Sequence, residues 1–315
     1  MVYPGDLKIF SGTAHPQLAE DIADKLGISV GKTVIKRFSD GECYVRFEDS
    51  VRGVDAFVVQ PTCPPDVDKN YMELLIMLDA LKRASAARIT CVMPYYGYAC
   101  QEKKDAPREA ISAKLVADLL TTAGADRVVS MDLHAGAIQG FFNIPVDHLT
   151  AIPLFSNYFI EKQLDNIIFI SPDEGRAKHT RQISSRVGAP LAVCYKFHPD
   201  HMETSISHLA GDVKGKIPII TEDMIRTGGS INECVDTLLE NGCKPEIYVA
   251  ATHGLFTGNC FEKLDRPEIK EIITLDTIPR KPEAPEKFKT IKCGPILADA
   301  ISRIHSNVPI TSLFK

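Results

Sequence analysis

Residues 221–230 read Thr221-Glu222-Asp223-Met224-Ile225-Arg226-Thr227-Gly228-Gly229-Ser230. An apolar run enters two carboxylates, then a hydroxyl, two glycines and a second hydroxyl. Glycines let a backbone turn until several N–H groups point at one anion. A helix beginning just beyond adds the partial positive charge of its N-terminus. Glu222 and Asp223 can accept from a diol, the amides of the Gly228-Gly229 turn can meet a phosphate, and Thr227 and Ser230 can donate hydroxyls to it. Together they suit a ribose phosphate. A plain turn capping a helix is the alternative; the strand and double acid before the turn favour the phosphate.

Three other polar loops follow apolar runs. Ser171-Pro172-Asp173-Glu174-Gly175-Arg176 offers an acid for Mg²⁺ and a turn for a second phosphate, or a surface turn. Met131-Asp132-Leu133-His134-Ala135 carries a histidine able to ligate metal or phosphate. Residues 94–111 run from Pro94-Tyr95-Tyr96-Gly97-Tyr98 into Gln101, Glu102, Lys103, Lys104, Asp105 and Arg108 without an apolar anchor. A lid bringing cations to phosphates has this composition, and so has a solvated loop.

These loops need a frame. Apolar runs at 56–60, 88–93 and 128–133 alternate with helical spacing over 72–86 and 112–123, the last ended by Gly124. The rhythm restarts with strands at 167–170, 191–194 and 217–221, a helix over 231–240 capped by Asn241-Gly242, strands at 247–252 and 272–275, a surface loop over 279–289 and a helix over 296–304. Strand–helix alternation predicts an α/β protein with two mainly parallel sheets flanked by helices. Ligands of such sheets sit at the carboxyl ends of strands, where the polar loops fall. The domain boundary is expected near 148–153, giving an N-terminal domain over 1–148 and a C-terminal domain over 149–315 whose last residues can pack back on the first.

A chain of 315 residues suits two domains of ~150 residues. Its net charge of −5 disfavours a nucleic-acid partner. Nine cysteines occur without a CxxC pair, which points to buried thiols in a reducing cytoplasm rather than to disulfides or zinc. Neither a signal peptide nor a membrane span is expected.

Residues 38–42 (Phe-Ser-Asp-Gly-Glu), 72–85, 94–104, 127–149 and 222–230 together resemble the ribose-phosphate pyrophosphokinases, in order and over nearly the whole chain. The stretches 131–134, 138–142 and 144–147 are the most specific. The resemblance implies two phosphoribosyltransferase-like domains in a homodimer or homohexamer, with Mg²⁺, ATP and ribose 5-phosphate bound. It places Phe38, Asp40, Gly41 and Glu42 in the loop that meets ATP of a neighbouring subunit, and Cys100, Gln101 and Glu102 at the nucleotide. His134 and Asp173 match magnesium ligands, Lys196 the catalytic lysine, and Lys103, Lys104 and Arg108 the catalytic loop. Asp173, Glu174, Gly175 and Arg176 match the pyrophosphate loop. Glu222 and Asp223 match the ribose-binding acids, and residues 226–230 the 5-phosphate loop, with His198 nearby.

Several positions depart from the family pattern. Cys100 stands for an arginine, Arg176 for a glycine, Phe197 and His198 for a pair of arginines, Glu222 for an aspartate, Arg226 for an acid and Asn143 for a common aspartate. Two readings follow: an active enzyme with redistributed charge, or a non-catalytic paralogue that binds nucleotide and regulates a partner. The survival of His134, Asp173, Lys196, Lys103 and Arg108 favours the enzyme. A phosphoribosyltransferase needs neither the 38–42 loop nor a second similar domain.

Overall fold

A computed structural model describes residues 5–197 and 206–314. They fall into two compact units. The first runs up to Thr150 and takes in Asp276–Pro279 and the segment from Lys292; the second comprises Ala151–Leu275 and Arg280–Ile291.

The first unit opens with β1 (Leu7–Ser11), α1 (Pro16–Leu26) and a hairpin of β2 (Thr33–Arg37) and β3 (Cys43–Phe47). Then come β4 (Asp55–Val59), α2 (Val67–Arg83), β5 (Arg88–Met93), α3 (Ser112–Ala123), β6 (Arg127–Met131) and β7 (Val146–Leu149). Helix α1 has a proline at its start and Gly27 in the left-handed region at its end, the usual asymmetry of helix punctuation. The sheet has order β1-β4-β5-β6-β7 and every pairing is parallel. All five residues of β4 are buried, because helices cover both faces of a parallel sheet. Leu74, Met77, Leu78 and Leu81 of α2 bury one helical stripe against that sheet.

The second unit contains α4 (Ile152–Lys162), β8 (Ile167–Ser171), α5 (Ala177–Val187), β9 (Leu191–Phe197), β10 (Ile206–Ala210) and β11 (Ile217–Ile225). It continues through α6 (Gly229–Glu240), β12 (Ile247–Gly254), the single turn α7 (Cys260–Lys263), β13 (Ile269–Leu275) and β14 (Phe288–Ile291). The sheet order is β10-β9-β8-β11-β12-β13-β14. Only the edge pair β9–β10 is antiparallel. Chain progress leaves β8 toward β9 on one side and leaves β11 toward β12 on the other, so the β8–β11 junction is the topological switch point, where such sheets bind ligands.

The final helix α8 (Gly294–His305) belongs to the first unit. Asp55, wholly buried in β4, accepts from Arg88 Nε at 2.8 Å and lies 2.8 Å from His305 Nδ1, which ties α8 to the sheet. Among the described residues no helix is long and apolar enough to cross a membrane.

The structure corrects one sequence expectation in kind and several in extent. The 279–289 stretch does not stay a loop: Phe288, buried, begins β14 and pairs with Ile272 of β13. Strand β11 runs on to Ile225, and α6 starts at Gly229 rather than Ile231.

Candidate active site

In the second unit the polar residues collect at the β8–β11 switch point. Glu222 and Asp223 are not loop residues but the continuation of β11; Glu222 pairs with Ala251 and Met224 with His253 of β12. Asp223 is buried, and its carboxylate accepts from the Met224 N–H at 2.8 Å. Glu222 Oε1 accepts from the Asp223 N–H at 3.0 Å. Burial and then the neighbouring Asp223 charge push the Glu222 carboxyl up to about 8, against the lowering pull of Arg176.

The chain then turns at Gly228, where φ is +75° and an added Cβ would lie 2.9 Å from Leu264 Cγ. Both facts require glycine. Gly228 is the N-cap of α6 and no side chain caps the helix. The first amides of α6 therefore keep the donors and partial positive charge that suit an anion. Glu222 and residues 224–231 line a cavity of about 190 Å³ before this helix end. Arg226, Thr227 and Ser230 are exposed there. The turn is braced from behind: Arg226 C=O accepts from Thr257 N–H at 2.8 Å, and Ile225 C=O from Leu255 N–H at 2.9 Å.

The loop after β8 stands beside this cavity because β8 and β11 are neighbours. Thr180 Oγ1 of α5 meets Thr221 Oγ1 of β11 at 2.7 Å and fixes the two elements together. Asp173 is exposed and its Oδ1 accepts from the Arg176 N–H at 2.9 Å. Glu174 and Gly175 are exposed at the loop tip. Arg176 turns inward, its Nε 3.9 Å from Glu222 Oε1. On the other side of β8, Lys196 lies three residues past Val193, the partner of Ser171. Its side chain and the whole of His198 lie outside the described residues.

In the first unit the site residues fall into three places. Phe38, Asp40, Gly41 and Glu42 form the tip of the β2–β3 hairpin, where Glu42 N–H donates to Asp40 Oδ1 at 3.0 Å and Gly41 has φ +96°. Phe38 is 45% exposed. The loop 94–111 and His134 leave the carboxyl ends of the adjacent strands β5 and β6, and Met131 N–H donates to Pro94 C=O at 3.3 Å between them. Cys100 is half-buried and Glu102 partly so. Gln101 Oε1 accepts from Ser112 Oγ at 2.6 Å and Gln101 C=O from Ala113 N–H at 3.2 Å, so this residue braces the start of α3. Lys103 lies 3.4 Å from Asp105. Lys104 and Arg108 are exposed, with no hydrogen bond or ion pair among the described residues. Arg108 holds φ +69°. His134 is exposed.

Sequence reasoning missed the Thr180–Thr221 clasp and the hairpin that carries Phe38. The hairpin did have a signal, Asp40-Gly41 between β-branched and aromatic residues. Thr180 had none, since a threonine in a polar helix is unremarkable on its own.

Comparisons with known proteins agree on one family. Residues 7–124 match the N-terminal domain of ribose phosphate pyrophosphokinase, and residues 173–315 match the phosphoribosyl synthetase-associated domain. The chain is 48% identical to the ribose-phosphate pyrophosphokinase of Clostridium perfringens, over 98% of both chains. It is 44% identical to that of Bacillus subtilis, over 98% of this chain and 97% of the relative. The crystal structure of phosphoribosylpyrophosphate synthetase from Mycobacterium smegmatis superposes with a TM-score of 0.90 at 43% identity, over 96% of this chain and 99% of that one.

Proposed function

The chain belongs to the ribose-phosphate pyrophosphokinase family, and from that premise we propose how its residues divide the work of moving the β,γ-diphosphoryl group of ATP to the C1 hydroxyl of ribose 5-phosphate, with release of AMP. The observation that carries this reading is the uncapped N-terminus of α6 behind Gly228, set at a switch point beside two strand-borne acids. Nothing in the comparisons favours the non-catalytic alternative.

The sugar's 5-phosphate takes the α6 amides, Thr227, Ser230 and Arg226. Its hydroxyls face Glu222 and Asp223, the protonated member donating and the ionised member accepting. The C1 oxygen attacks the β-phosphorus, the bond from that phosphorus to the α-phosphoryl oxygen breaks, and AMP leaves. Little covalent work falls to the protein in such a transfer; position and charge carry the rate. Asp173, Glu174, Gly175 and Arg176 hold the diphosphate. Lys196, Lys103, Lys104 and Arg108 bring cations to the developing charge, and the exposed loop, whose Lys104 and Arg108 have no partner among the described residues, suits a closing role. Phe38, Asp40, Gly41, Glu42, Cys100, Gln101 and Glu102 hold the nucleotide, and His198 stands by the sugar. An exposed phenylalanine at a hairpin tip suits delivery to a neighbouring subunit, which supports a homodimer or homohexamer.

By the family resemblance Mg²⁺ would take Asp173 of the second unit and His134 of the first. Among the described residues no group of three or more His, Cys, Asp or Glu side chains could hold an ion. Asp173 instead offers one hard oxygen ligand and His134 one nitrogen. That is the pattern for an ion carried mainly by substrate phosphates and water. When bound, the ion neutralises charge on the phosphoryl oxygens.

Purified protein given ATP, Mg²⁺ and ribose 5-phosphate should release AMP and form the diphosphorylated sugar. Lys196→Ala should slow this by ~10²-fold or more, the usual scale for one transition-state contact. AMP release no greater than that of Lys196→Ala would overturn the catalytic reading.

A further inference from the structure

Ile220 of β11 pairs with Ile170 of β8, so the next residues, Thr221 and Ser171, leave the two strands side by side. Thr221 leads into the acids Glu222 and Asp223, and Ser171 into the loop that ends at Arg176. Thr180, in the first turn of α5, joins the two stretches. Its Oγ1 donates to Arg176 C=O at 3.1 Å and lies 2.7 Å from Thr221 Oγ1. A hydroxyl has one proton to donate. Thr180 gives its proton to Arg176, whose carbonyl can only accept, so Thr221 is the donor to Thr180. A directed relay results, from Thr221 O–H to Thr180 O–H to Arg176 C=O. The bond from Thr180 to its own helix is common for threonine; the bond across to β11 serves neither helix nor sheet. Thr180 is 0% and Thr221 1% exposed. A buried hydroxyl costs free energy unless it is paired, and two valines would fill the same space without that cost. Direction, rather than packing, accounts for the hydroxyls. The loop is also closed on itself: Ser171 Oγ donates to Asp173 C=O at 2.7 Å, and Arg176 N–H donates to Asp173 Oδ1 at 2.9 Å. A loop held in one shape and tied to the acid-bearing strand can be aimed.

We infer that Thr180 and Thr221 are positioning residues for the proposed reaction: the relay between them fixes where the 171–176 loop stands against Glu222 and Asp223, and so where the diphosphate meets the sugar. The inference rests on the proposed function. Both threonines act through their neighbours, Thr180 through the Arg176 carbonyl and Thr221 through the start of the acid pair. Such aim matters because a misplacement of ~1 Å between reacting groups can cost ~10²-fold in rate.

The test compares Thr180→Val, Thr221→Val, the double valine variant, Thr180→Ser and Thr221→Ser in the full chain. Thr180→Val should lower kcat by ~10-fold or more, with KM for ribose 5-phosphate within about twofold of wild type, since the turn before α6 is untouched. The serine variants keep the hydroxyls and should stay within about threefold of the wild-type kcat. Thr180→Val already removes both bonds of the relay, so adding Thr221→Val should lower kcat no further. Thr180→Val and the double variant should melt within a few degrees of wild type. Hydrogen exchange of the amides over residues 176–180, followed by mass spectrometry, reads the loop without turnover and should be ~10-fold faster in Thr180→Val, with β11 unchanged. With an active wild type, an unchanged kcat or unchanged exchange in Thr180→Val would overturn the inference. So would serine variants as slow as the valine ones, or a kcat loss that follows a loss of Tm. A wild type that releases no AMP rejects the proposed reaction, and the exchange rates then decide the positioning of the loop by themselves.

Discussion

Replacing Glu222 by Gln tests the electrostatics of the strand end. The Glu222 side chain is 13% exposed, is followed by Asp223 and faces Arg176 at 3.9 Å. Burial, then the Asp223 charge, moves its carboxyl from the ordinary 4.5 up to about 8. A carboxyl raised in this way binds its proton more tightly in the folded protein than in the unfolded chain. Its contribution to stability is therefore present at low pH and is lost as pH climbs from 4.5 toward 8. At ~1.4 kcal/mol for each tenfold of proton affinity, the loss is bounded at ~5 kcal/mol. Gln copies the protonated acid and cannot ionise. Denaturant unfolding of both proteins from pH 4 to pH 9 should show near-equal stability near pH 4, where Glu222 is protonated in both the folded and the unfolded chain. By pH 9 the variant should be ahead by at least ~2 kcal/mol, which sets the size of effect the linkage argument requires. Burial also holds the His15 imidazole below its usual range, which costs stability toward low pH, but it does so in both proteins and cancels in the difference. A difference that stays flat across this range would refute the idea that the fold keeps Glu222 protonated.

Gly228→Ala combines a left-handed backbone worth ~1–2 kcal/mol with a Cβ 2.9 Å from Leu264 Cγ, worth ~1–3 kcal/mol of overpacking; the urea midpoint should fall, ribose 5-phosphate binding should weaken, and Leu264→Ala in the same chain should restore part of the stability. Asp55→Ala leaves Arg88 without its buried partner and should cost ~3–5 kcal/mol, seen as a drop in Tm far larger than that of Asp79→Ala in the exposed Arg83–Asp79 pair. Arg108→Ala should lower kcat by ~10²-fold with Tm unchanged, because Arg108 is exposed and makes no hydrogen bond or ion pair among the described residues; a matching loss of Tm would assign it a structural role instead.

What could be read from the chain follows from where packing and chemistry agree. Strand β5 and helix α3 fall on the residues expected, since an apolar run stopped by Pro94 and a helical stripe stopped by Gly124 each carry both a pattern and a terminator. Strand β4 differs by one residue at each end. Helix α5 was missed because its buried face is Thr180, Ile183 and Ser184, with a single large apolar side chain, and no stripe shows through. Helix α1 was missed although Pro16 and Gly27 marked both ends. The most informative difference is β11. Its acids, Glu222 and Asp223, read as loop because polar residues end an apolar run, yet they keep register with β12 through Ile225. Acids buried at the ligand end of a sheet point to a binding role, because the desolvation that raises Glu222 has to be offset by something, here Arg176 and a bound group. The departures from the family pattern gather at this same place. Arg176 reaches Glu222, and the extra methylene of Glu over the usual aspartate lengthens the acid's reach toward it. Seen together, the two changes set one guanidinium against one carboxyl at the ligand end of the sheet, which is compensation within a working site rather than its decay.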